Sequence, residues 1–173
     1  IINTHYLGDL IEDHIGNGEK FNLKISYSRE EEILGTGGAL IKAKDLIGRD
    51  TFLILSGDLW TDYPFSRLIN YDSKKKAHLI LLKKGKEKEA DMNLKNDYIF
   101  VDKNSKELTY SGIGLINPKI YEGIKIDKLK LWKDLLLPLV SKQEISGEVY
   151  NGLALNINLK KDLEELDVVI SEG

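Results

Sequence analysis

The apolar run Phe52–Leu55 ends directly in the short segment Ser56-Gly57-Asp58. A run of only a few large apolar residues is typical of a strand buried on both faces of a parallel sheet. Ligands of open α/β sheets bind outside the carboxyl ends of the strands, and Asp58 follows such an end. The pattern therefore predicts an α/β fold that presents a carboxylate at its functional edge.

Helical and strand periodicities alternate through the first half of the chain. We predict helix, strand, helix, strand, helix and strand in that order, at Tyr6–Ile15, Leu23–Tyr27, Ala39–Ile47, Thr51–Leu55, Phe65–Asp72 and Ala77–Leu82. This alternation indicates βαβ units and a Rossmann-like, doubly wound, mostly parallel sheet flanked by helices.

The second half changes to closely spaced strands. Tyr98–Val101 and Leu108–Ile116 are predicted to form a small antiparallel insertion or edge. An amphipathic helix from Trp132 to Val140, a strand Val149–Ile157 and a closing helix Lys160–Leu166 follow. A chain of 173 residues suffices for one ordinary domain, and we predict a single domain over residues 1–173.

Composition excludes several classes of function. The net charge of -3 comes from 25 basic and 28 acidic residues that are interspersed, which favours neither a nucleic-acid partner nor a membrane surface. The chain has no cysteine, so it holds neither a disulfide framework nor a thiolate zinc site. This fits a reducing, cytoplasmic location.

The loop Gly35-Thr36-Gly37-Gly38 opens a predicted helix. Glycines allow backbone amides to approach a ligand closely, and a helix N-terminus favours negative charge, so Gly35, Thr36, Gly37 and Gly38 are candidate nucleotide contacts. A tight turn that requires positive φ explains the same glycines equally well.

Other candidate site residues lie farther along the chain. Asp58 is a candidate ligand of Mg²⁺, which prefers one or two carboxylates plus phosphate oxygens, and the alternative is a turn cap. The two glycines of Ser111-Gly112-Ile113-Gly114 indicate either a bulge or the close approach of a sugar. Glu148 offers a carboxylate to sugar hydroxyls, although solvated surface glutamates are commoner.

Together, Gly35-Thr36-Gly37-Gly38, the strand with Gly57-Asp58 and Ser111-Gly112 resemble the motifs of the sugar-1-phosphate nucleotidyltransferases. The likeness is strongest to the N-acetylmuramate 1-phosphate uridylyltransferase and mannose-1-phosphate guanylyltransferase-like branches. It implies a GT-A-like fold in which Gly35, Thr36 and Gly37 hold the base, Asp58 binds catalytic Mg²⁺, and Ser111, Gly112 and Glu148 face the sugar.

Two departures from the family pattern stand out. The N-terminal signature containing G-x-G-T-R and P-K, which holds the triphosphate, is not in the chain. We therefore expect an N-terminally incomplete domain whose unpaired sheet edge is prone to self-association. The second metal-ligand position carries Asn156 where close relatives have aspartate, which removes one negative charge while keeping a carbonyl oxygen.

The resemblance implies an enzyme that joins a nucleoside triphosphate, UTP rather than GTP, to a sugar 1-phosphate and releases pyrophosphate for nucleotide-sugar and cell-wall synthesis. The alternative is a non-catalytic nucleotide- or sugar-binding domain, or an inactive fragment of such an enzyme. A nucleotide-binding oxidoreductase is excluded, because no G-x-G-x-x-G follows a strand.

Overall fold

The computed structural model describes residues 1–69, 71, 74–84, 90–102 and 104–172. Contacts within the chain group into two compact units. Unit 1 comprises Ile1–Thr51 and Asn117–Leu139, and unit 2 comprises Phe52–Ile116 and Val140–Gly173. The single-domain organisation stays a prediction.

Unit 1 contains a parallel pair of short strands and several helices. Its strands are β1 (Ile2–Thr4) and β2 (Tyr27–Arg29), and its helices include α1 (Gly8–Ile15), α2 (Gly35–Lys42) and α3 (Lys44–Ile47). Single 3₁₀ turns lie at Glu19–Phe21 and Pro118–Ile120, and a π-helical segment lies at Leu131–Leu136. β1 and β2 pair in parallel with α1 between them in the chain, so they form a βαβ unit, the kind of unit that the alternation of helices and strands indicates.

Unit 2 is built on a six-stranded sheet. In chain order its strands are β3 (Phe52–Leu55), β5 (Ala77–Lys83), β6 (Asn93–Lys95), β7 (Tyr98–Phe100), β8 (Leu108–Ile116) and β9 (Ile145–Val149). Their spatial order is β3-β8-β5-β9-β7-β6. A separate antiparallel pair consists of β4 (Leu59–Thr61) and β10 (Ala154–Asn156). The helices are α4 (Ser66–Ile69) and α6 (Lys160–Glu172), and α5 (Leu137–Val140) spans the boundary between the units.

The α/β class is confirmed, and the strand directions show that the six-stranded sheet is mixed. β5 pairs in parallel with β9, whereas β8 runs antiparallel to both β3 and β5. Because β7 is also antiparallel to both β9 and β6, four strands, β3, β5, β6 and β9, point the same way, and β7 and β8 oppose them. The antiparallel direction predicted for Leu108–Ile116 is confirmed, and the strand lies inside the sheet.

The core of unit 2 lies on β5 and β8. Leu79, Ile80 and Leu81 on β5 are fully buried, as are Ile113 and Ile116 on β8. Consecutive buried residues on β5 show that both faces of this strand are covered, and the strand predicted at Ala77–Leu82 is confirmed.

Three strand predictions are corrected. The strand expected at Leu23–Tyr27 begins only at Tyr27, because the Leu23 amide turns back to donate to the Gly18 carbonyl. β3 is not buried on both faces: it pairs only with β8 in the described part of the chain, and Leu53 and Leu55 are exposed. The self-association expected from such an edge stays a prediction.

The strand expected at Val149–Ile157 is two strands, β9 and β10. The Tyr150 amide makes the last bond to β5, at the Leu81 carbonyl, and the chain then leaves the six-stranded sheet to pair with β4, which separates the two strands. The helix expected at Phe65–Asp72 is shorter, α4, and its residues 70 and 72 lie outside the described residues.

Within the described residues, no helix has both the length and the apolar composition needed to cross a bilayer.

A buried histidine predicts how stability depends on pH. His78 is 2% exposed, its Nδ1 lies 2.9 Å from Ser146 Oγ, and burial lowers its pKa below 6.5 against the opposing charges of Glu148 and Asp97. The folded state therefore favours neutral His78, so stability is complete above pH 6.5 and falls as the pH drops below that value. Urea unfolding between pH 8 and about 5.5 measures this slope.

His78→Gln should flatten the pH dependence of the unfolding free energy in that window. His14→Gln, which changes an exposed histidine, is the matched control and should keep the wild-type slope. Equal slopes in the His78→Gln variant and the wild type would contradict the prediction.

Candidate functional site

Asp58 lies in the turn between β3 and β4, at the predicted edge. Its side chain is exposed, and a Cβ built on the neighbouring Gly57 would meet nothing within 4 Å. The Asp58 carbonyl accepts a 2.7 Å hydrogen bond from the Ile157 amide. The Asp58 carboxylate therefore stands in open space while its backbone is fixed.

Asn156 lies beside Asp58 on the partner strand. It pairs with Leu59 in the β4/β10 register, so the two candidate metal ligands occupy adjacent cross-strand positions at one end of this pair. One carboxylate and one amide carbonyl are hard oxygen donors of the kind that Mg²⁺ accepts when waters and phosphate oxygens complete its shell. The donor set fits that ion.

The described residues contain no group of three or more His, Cys, Asp or Glu side chains that could hold a metal by themselves. An ion held by Asp58 and Asn156 therefore needs further oxygens from its ligand or from water. This is the usual pattern for Mg²⁺, which keeps several waters and binds substrate phosphates.

Ser111 and Gly112 lie in an irregular part of β8. Leu79 pairs with Gly114 and Leu81 with Tyr110, so β8 carries extra residues between these points and forms a bulge. Gly112 has φ +91°, and a Cβ there would lie 2.5 Å from Ser56 Oγ. The glycine is required by the approach of the Ser56 segment, which also donates from its amide to the Gly112 carbonyl at 2.9 Å.

This geometry orders the turn that carries Asp58. Ser111 and Gly112 are buried, and the Ser111 hydroxyl accepts a hydrogen bond from the Ile113 amide at 3.1 Å. The contact of Ser111 and Gly112 with the sugar stays a prediction. The alternative explanation of the two glycines, a bulge in the strand, is confirmed.

Glu148 lies on β9 and is half-buried. Its Oε1 accepts a 2.7 Å hydrogen bond from the Tyr63 hydroxyl and lies 4.0 Å from Arg67 Nη1. Burial, followed by the hydrogen bond to Glu148, raises the pKa of the Tyr63 hydroxyl well above its usual range. Tyr63 therefore stays protonated and donates a hydrogen bond to Glu148 at any ordinary pH.

A second phenol and carboxylate pair adjoins the first and was missed by the sequence reasoning. The Tyr150 hydroxyl donates to Asp62 Oδ1 at 2.5 Å, and Asp62 Oδ1 also accepts from the Leu153 amide at 2.8 Å. The Tyr150 ring meets the Tyr63 ring edge to face, with the two ring centroids 5.0 Å apart. The aromatic spacing of Tyr63 and Phe65 after Asp62 was the only sequence signal for this cluster.

The glycine loop of unit 1 packs against the protein's own backbone. The Gly37 and Gly38 amides both donate to the Leu129 carbonyl, at 2.8 and 3.3 Å, and the Leu129 amide donates to the Leu34 carbonyl. Thr36 Oγ1 accepts from the Leu131 amide at 3.0 Å. Gly35 has φ +71°, and a Cβ there would lie 2.6 Å from the Leu129 carbonyl oxygen.

A tight turn, the alternative to a nucleotide site, therefore explains most of the glycines in this loop. Gly37 and Gly38 are buried and their amides are occupied, so their contact with a nucleotide stays a prediction. Thr36 is exposed and Gly35 is half-buried, which leaves the start of α2 as the accessible part of the loop.

Glu30 fixes the entry to this loop, and sequence reasoning assigned it no role. Its Oε2 accepts from the Leu34 amide at 2.8 Å, its other carboxylate oxygen accepts from the Asn3 side chain, and its amide donates to the Thr4 carbonyl. The carboxylate thus ties the carboxyl ends of β1 and β2 to the residue before α2.

Comparison with known families gives a direct match. The Nucleotidyl transferase family model matches residues 1–93, which is more than half of the chain. The family resemblance predicted from the motifs is thereby confirmed.

Two curated relatives share most of the chain. An N-acetylmuramate alpha-1-phosphate uridylyltransferase from Neisseria meningitidis is 29% identical over 173 residues, covering 95% of this chain and 75% of the relative. A mannose-1-phosphate guanylyltransferase catalytic subunit beta from Drosophila pseudoobscura is 24% identical over 177 residues, covering 94% of this chain. The chain spans about half, 47%, of that second relative.

The fold is also found among solved structures. The inositol-1-phosphate CTP transferase from T. maritima superposes with a TM-score of 0.77 at 15% identity, covering 100% of this chain and 77% of that one. At this identity the likeness concerns the fold alone.

The packing of the glycine loop predicts that Gly38→Ala is destabilising. Its Cβ would overlap the Asp127 carbonyl oxygen, a backbone atom that cannot move away cheaply. We expect a loss of about 1–3 kcal/mol in unfolding free energy, as for overpacked sites. Gly57→Ala is the control, because its Cβ enters open space, and chemical denaturation should find it near wild type.

Proposed function

The chain belongs to the nucleotidyl transferase family, and we propose that it transfers a nucleotidyl group from a nucleoside triphosphate to a sugar 1-phosphate. A phosphate oxygen of the sugar 1-phosphate attacks the α-phosphorus, the bond from the α-phosphorus to the bridging oxygen breaks, and pyrophosphate leaves. The observation that carries the proposal is the exposed Asp58 carboxylate, fixed by its backbone next to Asn156.

Positioning and charge neutralisation carry the rate of such transfers, so the protein performs little covalent chemistry. Asp58 and Asn156 would hold Mg²⁺, which when bound neutralises charge on the phosphates. The backbone bond from Ile157 to the Asp58 carbonyl keeps the Asp58 position constant while the carboxylate remains accessible.

The donor is proposed to be UTP, with GTP as the alternative. The relative of highest identity above is named for uridylyl transfer and the next for guanylyl transfer, so the preference rests on that likeness. The accessible residues Gly35 and Thr36 at the start of α2 are the proposed contacts to the base.

The acceptor is proposed to contact Glu148, with Ser111 and Gly112 shaping the adjoining turn. A pyranose presents several hydroxyl donors, and a half-buried carboxylate accepts them well. An acceptor such as N-acetylmuramate 1-phosphate would give a product for cell-wall synthesis, a reaction that we place in the cytoplasm.

A second candidate is a domain that binds nucleotide or sugar without catalysis. The observation that favours it is Asn156, a neutral residue in the second ligand position. Such a domain would bind its ligands with Mg²⁺ but would not release pyrophosphate.

Phosphorus NMR of the reverse reaction separates the two candidates. The protein is incubated with Mg²⁺, pyrophosphate and UDP- or GDP-sugars, and the nucleoside triphosphate signal is followed. We expect release from the uridine series, reduced at least ~10²-fold in Asp58→Ala, as when a key electrostatic group is lost. Absence of triphosphate with every sugar would reject catalysis and leave the binding domain.

Restoring a negative charge at position 156 should strengthen the binding of Mg²⁺. Asn156→Asp adds a second carboxylate at the metal end, so less Mg²⁺ should be needed for half-maximal rate, by on the order of tenfold or about 1.4 kcal/mol. The control Asn158→Asp adds the same charge two residues farther along the chain. A variant that needs as much Mg²⁺ as the wild type would contradict the assignment of Asn156.

A further inference from the structure

We propose that Tyr63 is a positioning residue that fixes the Glu148 carboxylate for the acceptor sugar, an inference that rests on the proposed function. Nothing in the sequence motifs assigns Tyr63 a role.

The Tyr63 ring is fixed on several sides. It is 3% exposed and belongs to a buried cluster with Leu68, Ile80, Ile113 and Leu115. Phe65 and Tyr150 meet it edge to face, with centroids 5.6 and 5.0 Å away and interplanar angles of 70° and 78°. Such packing holds the ring in one orientation, so the direction of its hydroxyl bond is set by the core.

Among the residues that the structure describes, the Tyr63 hydroxyl has a single acceptor, Glu148 Oε1, at 2.7 Å. Because burial and this bond keep the phenol protonated, it donates across the whole working range of pH. A hydrogen bond to an ionised carboxylate is roughly twice as strong as one between neutral groups, so Oε1 is firmly occupied.

The neighbouring cation does not replace Tyr63. Arg67 Nη1 lies 4.0 Å from the same oxygen, and the Arg67 side chain is 61% exposed. An ion pair of this length at the surface is screened and contributes little to orientation. The fixed geometry of Glu148 therefore depends on the phenol.

One carboxylate oxygen remains for a ligand. Glu148 is 34% exposed at its side chain, and Oε2 has no hydrogen-bond partner among the residues that the structure describes. A carboxylate with one oxygen bound to a rigid donor presents the other in a defined direction. That arrangement fits a hydroxyl donor of a sugar and avoids the entropy cost of ordering a free glutamate on binding.

The test uses Tyr63→Phe, which removes the hydroxyl and keeps the ring. Tyr150→Phe is the matched control, because it removes a hydroxyl from the adjoining ring whose acceptor is Asp62. We expect Tyr63→Phe to raise the KM for the sugar 1-phosphate about tenfold with the KM for UTP unchanged, and Tyr150→Phe to raise neither by as much. Thermal unfolding checks that each variant folds.

A double-mutant cycle shows whether Tyr63 acts through Glu148. In a Glu148→Gln background the further effect of Tyr63→Phe on the sugar KM should shrink to less than about threefold. If Tyr63→Phe does not fold, Glu148→Gln alone decides, because an unchanged sugar KM in that variant overturns the proposal.

Failure of the inference is distinguishable from failure of the proposed function. Turnover by the wild type with equal sugar KM in Tyr63→Phe overturns only the positioning role. If the wild type does not turn over, calorimetric titration with glucose, mannose and N-acetylmuramate 1-phosphates decides. Weaker binding by Tyr63→Phe supports the role, and equal binding or no binding by the wild type overturns it.

Discussion

The position of strand β8 between β3 and β5 is the constraint on which unit 2 depends. Its pairing with β3 places the turn that carries Asp58, and its pairing with β5 places β9 and hence Glu148. At the bulge, Gly112 also contacts Ser56, which precedes Asp58 by two residues. Only a residue without a side chain leaves space for Ser56 at this position. The turn that carries Asp58 and the strand that carries Glu148 are thus both positioned by the six-stranded sheet.

The β4/β10 pair extends that arrangement. Asp58 and Asn156 lie at one end of it, and Asp62, which accepts from Tyr150, lies four residues on from Asp58. Four residues of extended chain span about 13 Å. The proposed metal end and the phenol and carboxylate cluster therefore lie at opposite ends of this pair.

Much of the fold followed from periodicity, since a buried strand such as β5 carries the apolar run 79–82, which the local sequence displays. Predictions failed where tertiary pairing decided the outcome. Leu23 alternates as a strand would, yet its amide closes a turn at Gly18, and after Tyr150 the chain leaves β5 to pair with β4. The glycines at 37 and 38 suit either a ligand or a close backbone, and only the structure shows the Leu129 carbonyl beside them. Tyr63 carried no motif, because its role arises from a partner 85 residues away.

The most direct test of the account is where a divalent ion binds in the presence of nucleotide. Mn²⁺, a paramagnetic substitute for Mg²⁺, broadens amide resonances near it, and an NMR titration with UTP present maps that effect along the chain. The account predicts broadening centred on Asp58, Leu59, Asn156 and Ile157, lost in Asp58→Ala. Broadening centred elsewhere, or unchanged in the variant, would contradict the assignment of this edge as the metal end of a nucleotidyl transferase site.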